Sequence, residues 1–160
     1  MRIETTTREL FTFEELLEDI KDKAVENLYD LNVNYEWFEG VYMDADDIGL
    51  KINSFDVDRA SYCKMEYVDD FQTVIASIIR NHGAHCDTTK TAKEYEAQIK
   101  FDEEGDIENL EELEKDFLKA ISEDYLDMLR KEYEYLTREE AIIETIKANE
   151  YEFTAEGKLA

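Results

Sequence analysis

The sequence predicts a helix-dominated α+β fold, with several helices packed on a small antiparallel sheet. Three observations carry that expectation. Apolar residues recur at helical spacing over most of the chain, often behind Ser/Thr-x-x-Glu patterns that start helices. Two neighbouring segments alternate in the manner of a β-hairpin. No proline and only five glycines interrupt 160 residues, which leaves little room for long loops. That length suggests one domain, residues 1–160.

Arg2 to Arg8, rich in threonine, reads as a short strand. Thr12 and Glu15 form a capping-box pattern, in which the hydroxyl caps a backbone N–H and the glutamate reaches back. Leu16, Ile20, Ala24 and Leu28 follow at helical spacing, so a helix is expected from Phe13 to Tyr29. Tyr35 to Ile48 predicts a second helix with Trp37, Val41, Tyr42, Ala45 and Ile48 inward. Gly49 is placed to cap it in the left-handed conformation. Leu50–Asp56 and Ser61–Val68 are the hairpin strands. Phe71–Arg80 predicts a helix with Val74, Ile75, Ile78 and Ile79 inward, ended by Gly83. Thr91 and Glu94 repeat the capping box before a short helix containing Ala92, Tyr95 and Ile99. Asp102–Asp106 is an acidic turn.

The longest helix is expected over Ile107–Tyr135. At about 100° per residue, Leu110, Phe117, Ile121, Met128 and Tyr135 share one side. Glu112, Asp116, Glu123, Asp127 and Glu134 share another. Glu111–Lys115 and Asp127–Lys131 are favourable i,i+4 pairs, while Glu108–Glu112, Glu112–Asp116 and Glu123–Asp127 repel. Thr137 and Glu140 form a last capping box before a helix over Arg138–Ala148, with Ala141, Ile142 and Ile146 inward. Tyr151–Thr154 predicts a closing strand. Strands at both termini are expected to join the central hairpin.

The opening RELFTFEELLEDIKDKAVENLYD carries an aromatic pair, Phe11 and Phe13, then Glu14-Glu15-Leu16, then Lys21, Lys23 and Ala24. With the later Tyr35-Glu36-Trp37 and Tyr151-Glu152-Phe153-Thr154, it resembles a group of small acidic proteins of phage and prophage genomes. The resemblance implies a phage-like origin. It implies no mechanism and carries over no functional residue.

Charge is the main functional signal. Forty-two acids against 18 lysines and arginines give a net charge of −24. Such a chain repels nucleic-acid phosphates and anionic membrane surfaces, so its expected partner is basic; a halophile's solvation device and an ordinary acidic cytosolic protein are the other readings of such acidity. A chain of this length is roughly 40 Å across, and duplex DNA carries one charge per ~1.7 Å of axis. The total charge over that width therefore approaches a duplex, although no single face holds all of it. The acidic row needs help from neighbours such as Asp44, Asp46 and Asp47. Those three sit in the last turn of a predicted helix, where negative charge costs about 0.3–1 kcal/mol each. Ten tyrosines supply core residues, Tyr125 or Tyr135 among them, and anchors for an interface.

Specific chemistry finds less support. His82, His85 and Cys86 are a local group of zinc-ligand types, with Cys63 elsewhere. HxxHC is not a paired-cysteine zinc motif, and nothing around Cys86 forms a recognised thiolate-nucleophile motif. The aspartates do not match the register of an EF-hand, and no glycine-rich phosphate loop is present. No metal or cofactor is therefore expected. Two cysteines and no basic, apolar leader suggest a cytoplasmic protein with reduced thiols.

The expected function is a phage-type, non-enzymatic inhibitor of a basic nucleic-acid-handling host protein, of the CRISPR or restriction type, whose groove it blocks, as a DNA mimic or by another contact. Glu112, Asp116, Glu123, Asp127 and Glu134, with Asp44, Asp46 and Asp47, would carry the contact. One alternative is an antitoxin-like or accessory module that binds a small basic protein. A third is a small metal-dependent enzyme using His82, His85 and Cys86. An apolar edge of the long helix would also suit a homodimer.

Overall fold

The alternation after Gly49 is a β-hairpin in the computed structural model, which describes all 160 residues. In chain order the elements are β1 (Phe11–Thr12), a single 3-10 turn (Phe13–Glu15), α1 (Glu18–Asn27), α2 (Glu39–Asp47), β2 (Leu50–Asp56), β3 (Tyr62–Tyr67), α3 (Phe71–Asn81), α4 (Asp87–Glu96), α5 (Leu110–Leu136), α6 (Glu139–Ala148) and β4 (Glu152–Phe153). The fold is a helix-dominated α+β arrangement. Residues Phe38–Glu132 form one compact unit, and Met1–Trp37 with Tyr133–Ala160 form another.

In the central unit, β2 and β3 pair antiparallel, with Leu50 opposite Tyr67 and Ile52 opposite Met65. A bulge between Ile52 and Ser54 shifts the register. Leu50, Ile52 and Met65 face a core completed by Phe71, Val74, Ile75 and Ile78 of α3, Ala92 of α4, and Leu113, Phe117, Ile121 and Tyr125 of α5. Phe71 and Phe117 meet edge-to-face at 5.5 Å, the arrangement that aligns a positive ring edge with a negative face. Asp70 caps α3 by accepting from the Thr73 N–H at 2.9 Å.

Gly49 turns the chain from α2 into β2 at φ +87°, as its left-handed role requires. Its carbonyl accepts from the N–H groups of Val68 and Asp69, so the turn also closes the far end of the hairpin.

In the terminal unit, β1 and β4 pair with each other, Phe11 opposite Phe153. They form a sheet of their own and do not join β2–β3, contrary to expectation. The core is Phe13, Leu16, Ala24, Val25, Ile142, Ile146 and Phe153. Buried Asn32 is satisfied twice: its amide donates to the Leu136 carbonyl at 2.9 Å, and its oxygen accepts from Thr145 at 2.7 Å.

Several boundaries differ from the sequence reading. Arg2–Arg8 is not a strand, because threonine-rich backbone needs a partner edge and none pairs there. The expected helix from Phe13 is split. Thr12 N–H does donate to Glu15 Oε1 at 3.0 Å, but the box closes only the 3-10 turn. Leu16 and Leu17 are extended, and α1 starts at Glu18. The second helix starts at Glu39 rather than Tyr35, and Trp37 instead packs on Tyr133 at 5.5 Å. Thr91 is not an N-cap: α4 begins four residues earlier, behind Cys86. Thr137 turns its hydroxyl back to the Tyr133 carbonyl at 2.8 Å instead of capping α6.

Candidate functional site

The site is built on α4 and on the part of α5 that lies in the central unit. The core of α5 is a short stretch: Leu113, Phe117, Ile121, Tyr125, Leu126 and Leu129 are buried. Successive i+4 steps advance about 40° around the axis, so the buried stripe drifts along the helix. That drift is why Leu110 and Tyr135, expected in the core, are exposed, and Met128 is only partly buried. Glu112, Asp116, Glu123, Asp127 and Glu134 all lie exposed. The first four belong to the central unit, and Glu134 to the terminal one.

α4 runs beside this row. Thr91 Oγ1 donates to Asp124 Oδ2 at 2.6 Å and ties the two helices together. Asp87, Glu94 and Thr91 share one side of α4, at spacings of four and three residues. Burial first, and then the charges of Asp116, Glu94 and Glu123, raise the Tyr95 phenol above its ordinary range. The Asp124 carboxyl is raised too. Burial is the largest cause, Thr91 opposes it, and Asp87, Asp127 and Glu123 add repulsion. The acidic row thus widens into a belt that includes Asp87 and Glu94 of α4. The sequence reading missed both, because neither lies on the long helix.

The belt ends at a cleft of about 220 Å³, lined in part by Asp44, His82, Cys86, Asp87, Asp124 and Asp127. Here Asp44 has a structural role. Its Oδ1 accepts from the buried Tyr125 hydroxyl at 2.5 Å and lies 3.2 Å from His82 Nε2. His82 Nδ1 lies 2.6 Å from Thr88 Oγ1. With Nε2 donating to the carboxylate, Nδ1 of the neutral ring accepts from the threonine hydroxyl. Asp46 and Asp47 are exposed at the end of α2, and neither lines this cleft.

Of the three candidates for metal ligation, His82 and Cys86 line this cleft and His85 does not. Both His82 ring nitrogens have protein partners, and His85 and Cys86 are exposed. No group of three or more His, Cys, Asp or Glu side chains is arranged to hold a metal ion. Cys63 and Cys86 are free thiols. With its nitrogens engaged, His82 has no free nitrogen with which to activate Cys86.

Local pairing on α5 also differs from expectation. Asp127 pairs with Arg130 at 3.3 Å, not with Lys131, and Lys115 makes no ion pair with Glu111. Glu112, Asp116, Glu123, Asp87 and Glu94 have no cationic side chain within salt-bridge distance.

Comparison with known proteins finds no match: no family model fits the chain, and no curated protein or solved structure is similar to it. No helix is long and apolar enough to cross a membrane.

Proposed function

We propose that this chain is a non-enzymatic binding protein whose acidic belt occupies the nucleic-acid groove of a basic, nucleic-acid-handling protein. The observation that carries this reading is the acidic belt on α4 and α5, in which Asp127 alone has a cationic partner, Arg130. Asp127 lies fifteen residues beyond Glu112 on α5, or about 22 Å along the helix. A single nucleic-acid strand places one phosphate per ~3.4 Å of axis, hence about six to seven over that length. Glu112, Asp116, Glu123 and Asp127 with Asp87 and Glu94 supply six carboxylates. With Asp127 paired to Arg130, the belt approaches one strand in charge and falls well short of a duplex. Repulsion kept within the belt is relieved when a cationic surface covers it, which favours binding and fast association. The resemblance to phage proteins turns the choice of partner toward host defence enzymes of the CRISPR or restriction type.

The test is a pull-down from nuclease-treated bacterial lysate at low and high salt, followed by competition between the captured protein's nucleic acid and this chain. A nucleic-acid enzyme released by salt and by its own substrate supports the reading. Glu112→Lys with Asp127→Lys then weakens inhibition at unchanged thermal stability. Full inhibition by that double variant overturns the assigned surface. Capture of a small basic protein, without competition from nucleic acid, replaces the reading with an antitoxin-like one.

A further inference from the structure

α5 has a second flank of opposite chemistry. A groove of about 630 Å³ lies between α5 and the hairpin. Met65, Leu118 and Leu126 contribute apolar lining, and Lys64, Lys115 and Lys119 are its cations. Glu123 is the one acid in the lining. None of the three lysines makes an ion pair; Lys64 rests over the Tyr62 ring at 5.7 Å. All three are exposed. Acids outnumber bases 42 to 18 in this chain, so a lysine here is easily neutralised by a neighbouring carboxylate. Three unpaired lysines around one apolar groove reverse the sign of the rest of the surface.

The hairpin side adds a second property. The sheet has only two strands, so one edge of β3 keeps unpaired N–H and C=O groups. Ser61 through Met65 line the groove consecutively. Side chains of a strand alternate between faces, so a run of successive residues lines a groove that follows the strand.

We propose that this groove docks an extended acidic–apolar segment of a partner protein. The segment adds to β3 by main-chain hydrogen bonds, seats alternate apolar side chains on Met65, Leu118 and Leu126, and meets the lysines with its carboxylates. Charge selects this occupant. A basic segment is repelled by the lysines, and a small anion leaves the apolar lining unused. The proposal does not rest on the partner proposed for the acidic belt, and Glu123 borders both surfaces.

Cys63 also lines the groove and is partly buried, so it can report occupancy. Burial holds its thiol up at about 11, and its labelling at neutral pH should be slow but measurable. The probe is a short fluorescein-labelled peptide alternating Glu with Val and Ile. Its controls are the same peptide with Lys for Glu, and a polyglutamate of equal charge. Binding is read by fluorescence anisotropy on the full chain carrying Cys86→Ser. The acidic–apolar peptide should bind saturably, ahead of both controls, and slow maleimide labelling of Cys63. Lys115→Glu with Lys119→Glu should lower its affinity by about tenfold or more, with the circular dichroism melt confirming the fold. Equal binding of either control overturns the proposal. So does unchanged binding by the double variant, or unprotected Cys63. A dimer in sedimentation that itself protects Cys63 assigns the groove to a second copy instead.

Discussion

Thr91 Oγ1 donates to Asp124 Oδ2 at 2.6 Å across the α4–α5 seam. The same carboxylate faces Asp87, Asp127 and Glu123, and burial and repulsion together hold it above the usual aspartate range. A carboxylate whose folded pKa is raised binds more protons in the native state than in the unfolded one. Its penalty is therefore full at neutral pH and is removed as pH falls through the raised value. Asp124→Asn keeps an acceptor for Thr91 and removes the charge. It should raise Tm at pH 7 and low salt by about 2–4 °C, the shift for ~1 kcal/mol in a chain of this size. Scanning calorimetry should show the gain shrinking with added salt and with acidification. A gain that persists below the raised range points to a cause other than charge.

Tyr125 is fully buried, and its hydroxyl reaches Asp44. Tyr125→Phe leaves the ring packing in place and removes a hydrogen bond to a charged group. Urea unfolding should show a loss of about 1.5–3 kcal/mol. Asp44→Asn should cost less, because the amide oxygen still accepts from the phenol.

Thr89 is 1% exposed, and its hydroxyl has no hydrogen-bond partner. Thr89→Val replaces the orphaned hydroxyl with a methyl group of similar size and keeps the β-branch. Stability should rise by about 1 kcal/mol, the cost of an unsatisfied buried polar group at its lower end. A loss on chemical denaturation would falsify the assignment of that hydroxyl as unpaired.

Gly49 sits at φ +87°, and a Cβ there would lie 2.5 Å from an Asp69 carboxylate oxygen. Gly49→Ala must bear left-handed strain of about 1–2 kcal/mol and also displace Asp69. Equilibrium unfolding should show a loss at least that large. Gly40 has open space around its added Cβ and an ordinary φ, so Gly40→Ala in the first turn of α2 should be neutral or stabilising.

If the belt is the binding surface, α4 shares the work with α5. Glu94→Lys should weaken capture of the basic partner about as much as Asp116→Lys does, each by roughly 2–5-fold for one exposed charge at a steered interface. Affinity measured against ionic strength should lose slope in both variants. A Glu94→Lys protein that binds like wild type confines the surface to α5.

Much of the fold is legible because its signals are local. The 2-residue alternation of Leu50–Asp56, the 3.6-residue recurrence of Val74, Ile75 and Ile78, and the glycine at position 49 each depend on neighbours a few residues away. The exposed carboxylates of α5 follow from helical geometry in the same way. The misses are of another kind. Thr12-x-x-Glu15, Thr91-x-x-Glu94 and Thr137-x-x-Glu140 read alike in the sequence, yet only the first forms its reciprocal bond, and on a single turn. Thr91 is drawn to Asp124, 33 residues away, and Thr137 back to the end of α5. A short hydroxyl side chain bonds whichever acceptor packing brings closest.

The sequence by itself determined that this protein is acidic, helix-rich and provided with a long helix carrying a carboxylate row, because composition and periodicity fix charge and exposure along one element. Tertiary structure alone decided three things. Asp44 came to accept from the buried Tyr125 hydroxyl and to sit beside His82. Asp87 and Glu94 joined the belt, and three unpaired lysines collected around the groove between α5 and the hairpin. Each depends on which residues distant in the chain come within a few ångströms, and interactions at that range are set by packing, not by spacing along the chain.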